Sequence, residues 1–182
     1  PGAVQTTIRF GGAAPTRTAD DYAAAVLANL VFGGYFSSRW VANIREDKGY
    51  TYSPHSGFDH PSASSRMLAG ADVATEVTAP ALLETLYELG RMATLPVGQD
   101  ELDQARRYAL GTMALGTASQ AGLAGQVSQL AGAGLELSWL KEHAAALQRC
   151  EPQVTNRLRL AALPDAEQEV ARGRHALRQQ LL

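Results

Sequence analysis

The residues able to do chemistry are few and scattered. The histidines are His55, His60, His143 and His175, and none belongs to an H-E-x-x-H or H-x-x-E-H pattern. A catalytic zinc asks for three protein ligands and an open position, a structural zinc for four. His55 and His60 lie on either side of Asp59 and could converge in principle, but no third ligand is signalled. Both therefore read as hydrogen-bonded or solvated loop histidines. Cys150, the only cysteine, sits between Arg149 and Glu151 with no adjacent histidine to lower its pKa. A lone cysteine also excludes a disulfide framework within one chain. No G-x-S-x-G elbow is present. Gly33-Gly34 could cradle an anion before a helix N-terminus, yet flanking Phe32, Tyr35 and Phe36 make helix ending and packing its purpose.

The elements that must position these residues follow from pattern. Gln5 to Phe10 alternates like a half-buried strand and stops at Gly11-Gly12. Thr18 reads as an N-cap, and Tyr22, Val26 and Leu30 line a helix that ends at Gly33-Gly34. Ser37 or Ser38 caps a shorter helix carrying Trp40, Val41 and Ile44, closed by Gly49. Tyr50 to Phe58 reads as a strand with Tyr50, Tyr52, Ser56 and Phe58 on one face, with Pro54 implying an edge or bulge. His60 to Ala63 is a turn, and Arg66 to Val73 alternates as a second strand. From Thr78 the chain is helical, first with Leu82, Leu86, Leu89 and Ala93 on one face. Pro96-Val97-Gly98 breaks that helix, and the next places Leu102, Ala105, Ala109 and Met113 inward. A glycine-punctuated stretch, a helix over Glu136 to Gln148 and a last helix from Pro152 complete the domain. The order predicts an α+β fold, a mostly antiparallel sheet with helices packed on one face. One domain is read over 1–163, and 164–182 as a surface helix or tail.

Composition removes whole classes. Of 182 residues 46% are hydrophobic, enough for a sizeable core and against disorder. Basic residues number 16 against 18 acidic, a net charge of −2 with no Lys/Arg run, which argues against nucleic acid. No apolar run approaches the roughly 18 residues that span a bilayer. The chain opens Pro1-Gly2, as a piece of a longer protein would, and nothing assigns a compartment.

The stretch from Phe32 to Ser53 is the informative one. It resembles the second, zinc-free domain of the pitrilysin/insulinase metallopeptidases, whose pattern runs Gly-Gly, Ser-Ser-Arg, a short amphipathic helix, then Arg-Glu-x-x-Gly-x-x-Tyr-Ser. The matching positions are Gly33, Gly34, Ser37, Ser38, Arg39, Arg45, Glu46, Gly49, Tyr52 and Ser53. Weaker matches are Pro1-Gly2 to Gln5 and Asp100-Glu101-Leu102, and the resemblance extends over residues 1–163. It implies a non-catalytic domain that completes the substrate chamber of a zinc metallopeptidase. It also implies that Arg45 and Tyr52 reach the partner's zinc site, the Tyr hydroxyl steadying the tetrahedral intermediate and the Arg holding a substrate backbone carbonyl. The chain itself then carries no cofactor. Zinc is expected in the partner, either an N-terminal domain or a separate subunit, and the ligand is a peptide, with no nucleic acid or membrane involved. Without an H-x-x-E-H motif the chain alone is not expected to hydrolyse peptides.

Local chemistry is compatible with that role. A helix ending near Gly49 sends Arg45 off its last turn, and Tyr52 opens the next strand, so the two can share one cavity wall. On residue types alone, Arg45 equally complements the helix C-terminus, and Tyr52 is a half-buried strand aromatic with Tyr50 as its nearest decoy. Two other functions also fit: a structural or scaffold protein of the same fold without proteolysis, and a small ligand-binding α+β domain whose pocket is unrelated to Arg45 and Tyr52.

Overall fold

In the computed structural model, which describes residues 2–61 and 64–152, β1 (Gln5–Ala13), β2 (His55–Asp59) and β3 (Arg66–Ala74) form one antiparallel sheet. The order is β1-β3-β2, with Gln5 opposite Ala74, Ala13 opposite Arg66 and His55 opposite Gly70. Period-two alternation sorts the two faces. Met67, Ala69, Ala71 and Val73 of β3 are buried with Ile8 of β1, while the opposite face carries Thr7, Arg9 and Asp72, which pair with one another in solvent.

Over the inner face lie α1 (Tyr22–Asn29), which continues as a π-helical turn (Leu30–Gly34), α2 (Arg39–Val41), which continues as a second π-helical turn (Ala42–Asp47), and α3 (Thr78–Thr94). Then follow α4 (Gln99–Thr117), α5 (Gln120–Gly132) and α6 (Ser138–Arg149). The core between the layers is aromatic. Phe32 and Trp40 are fully buried and stack at 5.4 Å, and Phe10 meets both edge-on. Leu27 and Ile44 fill the remaining space.

Several expectations need correction. β1 runs through Gly11-Gly12 instead of stopping there. A side chain on Gly11 would lie 2.2 Å from the Met67 carbonyl oxygen, so this glycine permits a close strand approach. Thr18 does not cap α1; its hydroxyl pairs with that of Thr16, and the helix starts at Tyr22. Residues 50–54 lie outside the sheet, since Pro54 has no N–H for a ladder and is itself buried. α3 buries Ala81, Thr85, Glu88, Leu89 and Met92, whereas Leu82, Leu83 and Leu86 face outward. Trp40 favours that rotation, because its indole N–H donates to Thr85 at 3.0 Å and draws the row through Thr85 into the core. The helix expected from Pro152 and the tail at 164–182 fall outside the described residues.

Two segments far apart in sequence are clamped together here. Arg39 donates to both Glu101 carboxylate oxygens at 2.7 Å, and its guanidinium also reaches the Leu95 and Pro96 carbonyls. Glu101 in turn accepts the Gly98 N–H at the start of α4, the half of a capping box that a glycine N-cap allows. The Arg39 hydrogen bonds hold the Glu101 carboxyl below the usual range against the opposing effect of burial, with help from Gly98. A depressed folded-state pKa gives stability that is complete above the unfolded value of about 4.3 and vanishes as pH falls through the folded value. Because the Glu101 side chain is 39% exposed, solvent screens part of the pair. Glu101→Gln is expected to cost about 1–3 kcal/mol at pH 7 and almost nothing near pH 2. Urea unfolding at the two pH values measures it; an equal cost at both would mean that the ion pair contributes nothing.

Candidate functional site

Arg45 and Tyr52 are delivered by a single reversal of the chain. Trp40 and Ile44 bury one side of the short helix completely. Its end opens into a π turn, with the Lys48 N–H bonding to the Asn43 carbonyl five residues back at 3.0 Å. Gly49 then takes a left-handed conformation at φ +65, and the Tyr50 N–H returns to the Ile44 carbonyl. Beyond the turn, buried Thr51 donates to the Asp72 carbonyl at 2.7 Å and Pro54 is also buried. With Thr51 pinned inward, Tyr52 must face out.

The two predicted site residues therefore meet at the surface. The Arg45 guanidinium carbon lies 5.0 Å from the Tyr52 ring centroid and 3.9 Å from that of Phe36, so the cation is in contact with two rings. Arg45 is 24% exposed and its Nε lies 3.2 Å from a Glu46 oxygen. Tyr52 is 83% exposed, and its hydroxyl has no hydrogen-bond partner among the described residues. Tyr50, the decoy, is half-buried against the core, so the two tyrosines do not share a face. The expectation that Tyr52 opens a strand is corrected, since β2 begins only at His55. Neither Arg45 nor Tyr52 lines the cavity between α1, α4, α5 and α6 or the groove between the 42–47 turn and α3. They form an exposed patch instead. Phe36 was read from sequence as a packing residue, and its contact with Arg45 leaves no signal in spacing.

The histidines are dispersed. Both His60 nitrogens are within hydrogen-bond range of hydroxyls, Tyr22 at 3.1 Å and Ser65 at 2.9 Å, while His55 leans on the Ser53 carbonyl. Among the described residues no three His, Cys, Asp or Glu side chains group to hold a metal, and His175 lies outside them. A zinc site does not fit these residues. Burial pushes the Cys150 thiol up, against the lowering by Arg106 and Arg149, so it is no activated nucleophile. Elemental analysis of the purified, dialysed chain is expected to find far less than one zinc per molecule. A stoichiometric, tightly held zinc would overturn this.

The family model of the peptidase M16 inactive domain matches residues 2–108, from β1 into α4, and so includes both Arg45 and Tyr52. The chain belongs to this family. Among solved structures, this M16 inactive domain is similar to one from Pseudomonas fluorescens, with 26% identity and a TM-score of 0.78 over 88% of this chain and 39% of that one. It is similar too to the inactive peptidase domain of a candidate zinc protease from Bordetella parapertussis (16% identity, TM-score 0.77, 91% and 90% of the two chains). A protease from Helicobacter pylori gives 17% identity and a TM-score of 0.78 over 89% and 39%. At those two lower identities the likeness is one of fold. This chain thus spans 39%, about two fifths, of the Pseudomonas fluorescens and Helicobacter pylori chains. No curated protein matches it.

Proposed function

We propose that this M16 inactive domain forms the wall opposite the metal in the chamber of a zinc peptidase, and that Arg45 and Tyr52 act on the peptide there. The partner is a zinc-bearing domain of the same chain or a separate subunit. The observation that carries the reading is the exposed Arg45–Tyr52 stack, whose phenol hydroxyl has no partner within the described chain. A substrate-facing hydroxyl must wait for its acceptor, whereas a structural one is satisfied internally. Zinc, where bound, polarises the scissile carbonyl and lowers the pKa of water. Tyr52 supplies a neutral donor to the oxygen on which negative charge develops. Arg45, steadied by Phe36 and Tyr52, offers a fixed cation to a backbone carbonyl of the bound peptide.

Arg45→Ala tests this in the chain together with its zinc-bearing partner. Loss of a charge-assisted hydrogen bond is expected to lower kcat/KM about 10–100-fold, part of it as a raised KM, since a held carbonyl stabilises bound substrate as well as the transition state. Stability should fall by no more than about 2 kcal/mol, the loss of the two ring contacts, so the fold stays intact. Unaltered kinetics would leave the domain a scaffold without a role in the reaction.

A further inference from the structure

Four helices, α1, α4, α5 and α6, converge on a second feature that the proposed function does not use. Between them lies a cavity of about 250 Å³. Its apolar walls include Met113 and Leu130, and its polar groups include Arg17, Gln129 and His143. One wall is aromatic. Trp139 and His143 stack at 4.5 Å with planes 10° apart, and Tyr22 lies 5.2 Å from His143.

Arg17 supplies the cavity's charge. The Trp139 indole N–H donates to the Arg17 carbonyl at 3.1 Å, fixing the loop before α1 against α6. The half-buried Arg17 side chain lines the cavity beside Tyr22. None of the ion pairs among the described residues involves it. Burial, reinforced by Arg17, lowers His143 to about 4 and also lowers His60, so both imidazoles are uncharged near pH 7. A single guanidinium outside those ion pairs, on the wall of a mostly apolar cavity, favours one negative charge, and its planar fork matches a carboxylate. A doubly charged phosphate would leave net charge in an apolar space.

We propose that this cavity binds a small monocarboxylate with an aromatic or branched apolar body, its carboxylate on Arg17 and its body against Trp139, His143 and Met113. Size agrees with that chemistry. A dry cavity of about 150 Å³ holds benzene, and pockets for drug-sized molecules start near 300 Å³, so the ligand has on the order of ten non-hydrogen atoms.

The test needs only the 182-residue chain, labelled with ¹⁵N. Its two tryptophans serve as probe and control, because Trp139 lines the cavity while Trp40 is sealed in the core. Titration with 3-phenylpropionate is expected to shift the Trp139 indole resonance saturably, with a Kd of about 0.1–1 mM, and to leave that of Trp40 in place. The isosteric amide, 3-phenylpropionamide, should bind at least about tenfold more weakly, as expected when a guanidinium pair is lost. Arg17→Gln should bring the acid down to the amide's affinity without altering the amide, and Arg17→Lys should recover part of the difference. Thermal melting of each variant verifies that the fold is intact. Equal affinity for acid and amide would overturn the proposal. So would an acid affinity indifferent to Arg17→Gln, or the absence of any shift of Trp139 up to about 20 mM, far above the expected Kd.

Discussion

Tyr52→Phe, in the chain together with the proposed zinc-bearing partner, is expected to reduce kcat and kcat/KM in parallel, by about 10²–10³-fold. The substitution removes one oxygen and leaves the ring that stacks on Arg45. The ring is 83% exposed, so neither core packing nor the Arg45 contact is lost. A parallel fall in both constants marks an interaction made in the transition state alone, whereas loss of ground-state binding would appear in KM. Steady-state hydrolysis of an internally quenched peptide reads both constants, with circular dichroism to verify that melting is unchanged. A Tyr52→Phe enzyme with the parent's turnover would show that the hydroxyl takes no part.

Trp40→Ala is expected to produce the largest loss of stability, about 3–5 kcal/mol. Trp40 is wholly buried, stacks on Phe32, meets Phe10 edge-on and donates to Thr85. For a domain of this size the melting temperature should fall by roughly 10 °C or more. The damage should extend to function, since Trp40 anchors the turn that carries Arg45. Calorimetry measures the first effect. A loss below about 1 kcal/mol would mean that the aromatic layer repacks freely.

Much of this architecture can be read from residue pattern, and what cannot has a physical reason. The block from Gly33 to Ser53 is legible because a turn, two caps and a polar site are packed into a few residues, each of a demanding type. β3 is legible because Met67, Ala69, Ala71 and Val73 alternate without interruption. The orientation of α3 is not. Leu82, Leu86, Leu89 and Ala93 outline the expected buried face, but the helix buries the row through Ala81, Thr85, Glu88 and Met92, about 100° away, and of the expected four only Leu89 is buried. The Arg39–Glu101 clamp joins positions in two separately recognisable segments, and only the folded chain brings them into contact. Phe36 escapes for a related reason. An exposed aromatic beside a cation leaves no periodicity, so its service to Arg45 emerges from geometry alone.

The widened turn from Ala42 to Asp47 has a consequence for how this sequence can change. Closing five residues back where an α-helix closes four, the turn holds one extra residue without moving the ends of the segment. Excising that residue would let Trp40 and Gly49 keep their places while the turn rewound as ordinary α-helix. Each residue of such a helix advances about 100°, so Arg45 would swing away from Tyr52 although no side chain at the site had been exchanged. Between Arg39 and Tyr52, then, chain length is the quantity under constraint. An exposed position such as Asp47 can vary, but a one-residue gap or insertion should disable the site as thoroughly as deleting its arginine.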